Sequence, residues 1–182
     1  MPLVVKLFPI LFNRVLRWSK AKRMGRIVTR QELSEICRLL KREGKHIVFT
    51  NGCFDILHRG HVEYLTKARS LGDLLVVGMN TDASVQRLKG PSRPIVSEMD
   101  RAYVLSALAV IDYVCLFDED TPYELIKAIV PDILVKGGDW SIDAIVGKDV
   151  VEQAGGAVHS ITFESNRSTS QIVEKIRESN TK

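Results

Sequence analysis

Two histidines, His58 and His61, stand three residues apart where a strand pattern gives way to a helix pattern. Residues 46–50 before them are short, apolar and β-branched, as in a buried parallel strand, and residues 62–71 after them carry apolar side chains at helical spacing. The histidines therefore lie where a helix begins. Because the first N–H groups of a helix lack intrahelical acceptors and carry the positive end of its dipole, this turn is suited to binding phosphate.

Three interpretations of the turn remain open. In the first, the two imidazoles donate hydrogen bonds to phosphate oxygens as charge builds during transfer of a nucleotidyl group. In the second, the histidines bind a zinc ion together with Asp55 or Cys53, although the spacing is unusual for zinc and no second Cys and His cluster follows. In the third, the histidines only cap the helix. Two histidines flanking Gly60 at one helix start favour the first interpretation, and we predict no protein-bound metal.

Cysteine usage indicates the compartment. Cys37, Cys53 and Cys115 are widely spaced and include no CxxC pair, which favours a reducing cytosol over a disulfide framework. We therefore predict a cytoplasmic protein. Cys53 could act as a nucleophile, but no base other than the two histidines is evident, and packing is the simpler role.

The charge of the chain is unevenly distributed. A length of 182 residues suits one domain with a real core. The net charge is +4, but residues 1–28 hold seven Lys or Arg and no acid, so the remaining residues sum to −3. A mildly acidic body without interleaved aromatic and basic side chains predicts no binding to nucleic acid.

Residues 1–26 are apolar and basic, and we predict that they form an extension before a catalytic domain at residues 27–182. The extension is too short and too charged to span a bilayer, and it lacks the small-residue cleavage site of a signal peptide. It could be an amphipathic helix on an anionic membrane, or an upstream extension of a product that begins at Met24. We expect no stable membrane insertion and no role in catalysis.

Helix and strand patterns alternate from Thr29 onwards. Thr29 with Glu32, and Thr121 with Glu124, predict two capping boxes, and Ser97 predicts the start of a helix that runs to about residue 110. The alternation predicts a Rossmann-like, doubly wound five-stranded parallel sheet in a three-layer α/β/α fold, with its ligand beyond the carboxyl ends of the strands. The predicted strands are residues 46–50, 74–79, 111–117, 132–136 and 157–161.

Candidate binding residues follow the predicted strands at this edge. Glycine in the turn lets a ligand approach the backbone closely. Cationic residues in and after the polar loop at residues 89–97 are candidates to clamp phosphates. The nucleotide-binding set predicted from the first half and centre of the chain comprises Thr50, Asn51, Gly52, Phe54, Asp55, Gly60, Arg93, Arg101, Lys136 and Gly137.

Two segments resemble a known family. Residues 52–61 resemble the HxGH signature of the cytidylyltransferase-like nucleotidyltransferase superfamily, and Ser168-Thr169-Ser170 resembles its S-T-T/S motif at the start of a C-terminal helix. Residues 87–95 and 134–139 further resemble the adenylyltransferases that make ADP-heptose from D-glycero-β-D-manno-heptose 1-phosphate. That domain is often fused behind a sugar kinase, and here we expect the stand-alone version.

The resemblance implies roles for individual residues. His58 and His61 are expected to hold the triphosphate and steady the transition state, with Lys89 as the third catalytic residue. Ser168, Thr169 and Ser170 are expected to bind β- or γ-phosphate oxygens. Asp55 is expected to orient the first motif, while Asp82 and Asp139 either contact sugar hydroxyls or a metal ion, or only cap helices. ATP is the expected substrate, with Mg²⁺ bound through the triphosphate.

One departure from the family pattern concerns the nucleotide. Relatives that use CTP with glycerol phosphate carry R-T-x-G-I before the S-T-T motif, whereas here Arg167 stands directly before Ser168. ATP is therefore preferred, with transfer of CMP to glycerol 3-phosphate or a similar alcohol phosphate as the alternative. A non-catalytic nucleotide sensor is a second alternative. The resemblance also implies a homodimer and a separate heptose 7-phosphate kinase in the same pathway.

Overall fold

The computed structural model describes residues 24–138, 140–162 and 168–179, in which strands and helices alternate. The strands are β1 (Arg26–Ile27), β2 (Ile47–Gly52), β3 (Leu74–Asn80), β4 (Tyr113–Phe117), β5 (Ile133–Gly137) and β6 (Ala157–Ile161). The helices are α1 (Arg30–Arg42), α2 (Arg59–Arg69), α3 (Asp82–Lys89), α4 (Glu98–Ser106), α5 (Tyr123–Ile129), α6 (Lys148–Gln153) and α7 (Thr169–Ser179), with a 3₁₀ turn at Ile142–Ala144.

All strands pair in parallel in one sheet, in the order β1-β4-β3-β2-β5-β6. This confirms the Rossmann-like α/β fold, but the predicted count of five strands was wrong. The sixth strand, β1, pairs Arg26 with Tyr113 and Ile27 with Val114 at the sheet edge. Two residues are too few to show an alternating pattern, so this strand could not be predicted from the sequence. The strand begins one residue before the predicted domain boundary.

Successive residues of each strand point to opposite sides of the sheet. Both sides carry apolar residues, and helices cover both faces. In β2, Ile47 and Phe49 pack into one buried cluster with α1, α5 and α6, while Val48 packs into a second cluster with α2 and α4. Leu134 and Val135 of β5 divide in the same way. The two clusters confirm the three-layer α/β/α arrangement.

Helix starts follow the predicted caps with one exception. The capping box at Thr29 and Glu32 is present, with both side chains bonded to the backbone as expected. The predicted box at Thr121 and Glu124 was wrong, since Pro122 takes the N-cap position of α5 and no side chain caps it. The helix after Ser97 ends at Ser106 rather than near residue 110, because the chain turns there to enter β4.

Within the described part of the chain, no helix combines the length and apolar character needed to cross a bilayer.

Candidate active site

The turn that carries the histidines joins β2 to α2. Phe54 in this turn is buried and has a φ of +47°, a left-handed conformation that is uncommon for a residue with a side chain. His58 is the N-cap residue of α2, and His61 lies in its first turn. The buried Gly60 lies between them, so the first N–H groups of the helix and both imidazoles meet at one place.

The two imidazoles stack on each other. Their ring centroids are 3.9 Å apart with an angle of 26° between the planes, and the Phe54 ring meets His61 edge-on at 5.3 Å. Burial, and to a smaller extent the neighbouring His58, lowers the pKa of His61 from 6.5 to about 4. His61 is therefore neutral at pH 7. Among the described residues, nothing hydrogen-bonds its buried Nδ1, as is typical of a group at a functional site.

The lowered pKa predicts a pH dependence of stability. Below pH 6.5 the unfolded chain binds a proton at His61, which the folded protein does not bind until about pH 4. The contribution of His61 to stability is therefore complete above pH 6.5 and is lost as the pH falls towards 4. Urea unfolding should show a free energy that falls more steeply between pH 7 and 4.5 in the wild type than in His61→Gln. Parallel pH profiles of the two proteins would contradict the prediction.

The start of α7 reaches the same turn. The Thr169 hydroxyl donates a hydrogen bond of 3.3 Å to the carbonyl oxygen of Ile56, two residues before His58. Ser168 caps the helix reciprocally with Gln171: its Oγ accepts the Gln171 N–H at 3.2 Å, and Gln171 Oε1 accepts the Ser168 N–H at 2.9 Å. The start of α7, whose hydroxyl groups are exposed or half-exposed and include that of Ser170, thus meets the start of α2 with its two histidines.

Asp55 fastens the polar loop to the histidine turn. Its carboxylate accepts hydrogen bonds from Arg93 Nε at 2.6 Å and from the N–H groups of Ile95 and Val96 at 2.8 and 3.0 Å. Burial raises the pKa of Asp55, but these three donors outweigh it and leave the pKa below its ordinary value. Asp55 therefore joins the histidine turn to the polar loop, and its role in orienting the first motif stays a prediction.

Arg93 and Arg101 bind groups of the protein rather than an open phosphate site. Arg93 is only 12% exposed in its ion pair with Asp55. The Arg101 side chain is 0% exposed and donates to the carbonyl oxygens of Cys53 and Val96 and to the carboxylate of Asp82. We expected both arginines to clamp phosphates, but in the structure their guanidinium groups bind carboxylate and carbonyl oxygens of the protein itself. Sequence shows the charge of a residue but not its partner.

Thr50 lies inside the protein. It is fully buried, and its hydroxyl is 2.5 Å from the Tyr64 hydroxyl, which donates to the carbonyl oxygen of Val135. Thr50 therefore holds β2, α2 and β5 together. Its position at the end of a strand suggested binding, but strand residues alternate between faces and this one points into the core.

Two lysines lie on the other side of the turn, beside a cleft. Lys89 is exposed at the end of α3, and Lys136 is half-buried near the end of β5, just before Gly137. Lys136 Nζ is 3.4 Å from Asn51 Oδ1, and burial lowers the pKa of this lysine. The cleft between them has a volume of about 390 Å³. Trp140 lies at the rim of the cleft. It was not predicted as a site residue, and only its position after a strand could have indicated one.

The zinc interpretation has no support in the described residues. Asp55 pairs with Arg93, and Cys53 Sγ contacts Asn80 Oδ1 at 3.8 Å. Residues 24–138, 140–162 and 168–179 contain no group of three or more His, Cys, Asp or Glu arranged to hold a metal ion. Asp139 and residues 163–167, which include Arg167, lie outside the described residues.

An enzyme that moves a nucleotidyl group must hold a triphosphate by its oxygens, and here two helix starts and a pair of imidazoles meet at one place. That combination is the one that a nucleotidyltransferase requires. A sequence model of the cytidylyltransferase-like family matches residues 49–178, which is more than half of the chain. The chain belongs to that family.

Curated relatives carry the name bifunctional protein HldE. The one from Syntrophotalea carbinolica is 58% identical over 152 residues, and the one from Citrifermentans bemidjiense is 60% identical over 149 residues. These alignments cover 84% and 80% of this chain and 31% of each relative. The chain thus spans about a third of the length of these relatives.

Two solved structures share the fold. A lipopolysaccharide core biosynthesis protein from Thermoplasma volcanium is 32% identical with a TM-score of 0.56, and the match covers 68% of this chain and 100% of that one. Pantoate-beta-alanine ligase from Francisella tularensis has a TM-score of 0.54 at 15% identity, covering 80% of this chain and 69% of the ligase. The second likeness shows the fold alone.

Proposed function

We propose that this chain transfers AMP from ATP to D-glycero-β-D-manno-heptose 1-phosphate, giving ADP-heptose and pyrophosphate for the core of lipopolysaccharide. The observation that carries the proposal is the hydrogen bond from Thr169 to Ile56, which brings the start of α7 to the histidine turn. The choice of sugar rests on the resemblance of residues 87–95 and 134–139 to adenylyltransferases that make ADP-heptose. The name of the Thermoplasma volcanium structure, a lipopolysaccharide core biosynthesis protein, supports the same pathway.

The chemistry follows from what these residues can do. A phosphate oxygen of the sugar attacks the α-phosphorus of ATP in line, a new P–O bond forms, and the bond to pyrophosphate breaks. Neutral His61 and its stacked partner His58 donate hydrogen bonds to phosphate oxygens as negative charge builds. The first N–H groups of α2 and α7, with the hydroxyls of Ser168 to Ser170, hold the triphosphate. No covalent intermediate is required, because alignment and charge stabilisation are sufficient.

The remaining groups assist this transfer. Mg²⁺ enters with ATP as part of the substrate. As a hard cation that prefers oxygen ligands, it would neutralise charge on the triphosphate. Lys89, exposed at the end of α3, supplies a mobile positive charge to the phosphates. Arg93 and Arg101 act indirectly, because they hold the polar loop and the histidine turn in one arrangement. We further propose that the enzyme acts in the cytoplasm as a homodimer and that a separate kinase phosphorylates the heptose 7-phosphate upstream.

A substrate panel tests the proposal. The purified chain is mixed with ATP or CTP, each with heptose 1-phosphate or glycerol 3-phosphate, and pyrophosphate release and the nucleotide-sugar product are measured. We expect the pair of ATP and heptose 1-phosphate to react at least tenfold faster, in kcat/KM, than any other. Faster reaction of CTP with glycerol 3-phosphate would replace the proposal with a cytidylyltransferase. No release from any pair would indicate a nucleotide sensor.

A further inference from the structure

The cleft beside the histidine turn is the strongest unassigned feature of the described surface. It lies at the carboxyl edge of the sheet, between the ends of β2, β3 and β5, and its volume is about 390 Å³. That is at the lower end of the range of roughly 300–1,000 Å³ that small-molecule sites occupy, so it suits one small ligand. Its lining includes Asn51, Asn80, Lys89, Asp120, Lys136 and Trp140.

The cleft offers positive charge for a phosphate. Lys136 Nζ is half-buried beneath the cleft and lies 3.4 Å from Asn51 Oδ1. Burial is the main reason that its pKa is lowered, so the ammonium group would gain from an anion placed beside it. Lys89 lies in the same lining. Two ammonium groups around one cleft are the point charges that a phosphate monoester prefers.

The cleft also offers an aromatic face and polar groups for a sugar. Trp140 is 52% exposed, and Lys136 Nζ lies 5.7 Å from the centroid of its ring. An indole ring at the rim of a polar cleft gives the CH groups of a sugar a flat surface for dispersion contact. The amide of Asn51 and the carboxylate of Asp120, which also pairs with Arg87, can bind hydroxyl groups. The amide of Asn80, by contrast, is buried and hydrogen-bonded to Ser84.

Gly52 connects the cleft to the histidines. It lies in the cleft lining, and a Cβ added to it would come within 3.0 Å of the Phe54 ring. The Phe54 ring in turn meets His61 edge-on at 5.3 Å. A ligand in the cleft is therefore separated from the histidine turn by one glycine and one aromatic ring, which is close enough for a molecule in the cleft to react with one held at the histidines.

We infer that this cleft binds the acceptor sugar phosphate, with the Trp140 ring against the sugar and the ammonium groups of Lys136 and Lys89 on its phosphate. The inference rests on the proposed function for the identity of the sugar. It assigns recognition of the acceptor to Trp140 and Lys136, and recognition of the triphosphate to the histidines and α7.

Steady-state kinetics of the full chain test the inference. Trp140→Ala should raise KM for heptose 1-phosphate about tenfold or more, since it removes the flat apolar surface against which the sugar packs. KM for ATP should change less than twofold, and Trp140→Phe should recover most of the loss. Tyr103→Ala is the matched control, because this aromatic residue is 63% exposed on α4, outside the cleft lining. A rise in KM for ATP alone, or no change in either constant, would overturn the inference.

Fluorescence gives a readout that does not depend on turnover. The chain has two tryptophans, Trp18 and Trp140, so Trp18→Phe leaves Trp140 as the single emitter. Titration of this variant with heptose 1-phosphate, with and without a non-hydrolysable ATP analogue, should change the emission, and Lys136→Met should weaken the response at least fivefold. A response without ADP-heptose formation would refute the proposed reaction but not the acceptor site. Product formation without any response would refute the acceptor site alone.

Discussion

Replacing His61 with alanine is expected to lower kcat by about 10²–10³-fold, the scale of losing one donor to the transition state. His61 is neutral because burial lowers its pKa to about 4, so in the proposed reaction it would act as a hydrogen-bond donor and not as a fixed charge. Its ring is stacked on His58 and touches Phe54, but no described group bonds its Nδ1. Stopped assays of pyrophosphate release at saturating substrates measure the effect.

The control for this prediction is His159→Ala. His159 is exposed on β6, and its replacement should leave kcat within twofold of the wild type. Circular dichroism and urea unfolding at pH 7.5 should show that both variants remain folded. An unchanged kcat in His61→Ala would remove this residue from the mechanism, whereas a collapse of the fold would assign it a structural role.

Replacing Arg101 with alanine is expected to lower the free energy of unfolding by about 3–5 kcal/mol, because it leaves the buried partners of the charged group without a hydrogen-bond donor. The guanidinium group binds the carbonyl oxygens of Cys53 and Val96 and the carboxylate of Asp82. It thus joins the histidine turn, the polar loop and α3. Urea denaturation followed by far-UV circular dichroism measures the change.

Arg87→Ala provides the matched comparison for Arg101. Arg87 also pairs with acids, Asp118 and Asp120, but its side chain is half-exposed. Exposed ion pairs contribute at most about 1 kcal/mol, so this variant should stay within about that range of the wild type. If Arg101→Ala keeps its stability and instead raises KM for ATP, the arginine binds phosphate, as we first expected from the sequence.

The main chain of this protein could be predicted closely from its sequence. The box at Thr29 and Glu32 and the alternation of β-branched and helical segments determine local structure, and they placed α1, α6 and β6 at their observed bounds. The errors occurred where neighbouring residues in the sequence do not determine whether a strand or a helix cap forms. Strand β1 is stabilised only by its neighbour β4, and Pro122 displaced the cap that Thr121 would have formed.

The sequence predicted which residues of the candidate site lie together, but not the internal partners of the others. Histidines at one helix start and hydroxyls at another are recognisable from their positions, so His58, His61 and Thr169 could be selected from the sequence and lie together in the structure. Arg101 and Thr50 depend on contacts with residues 48 and 14 positions away, which a linear pattern does not show. Trp140 was missed for the same reason, because only the fold reveals that it borders a cleft.

The bond between Thr169 and Ile56 has a consequence for the synthesis of the protein. These residues are 113 positions apart in the chain. At about 5–20 residues per second, the ribosome releases the second partner on the order of ten seconds after the first. During that interval the nascent chain can pair its early strands while the proposed triphosphate site is incomplete, so affinity for ATP should arise late in translation, when α7 docks.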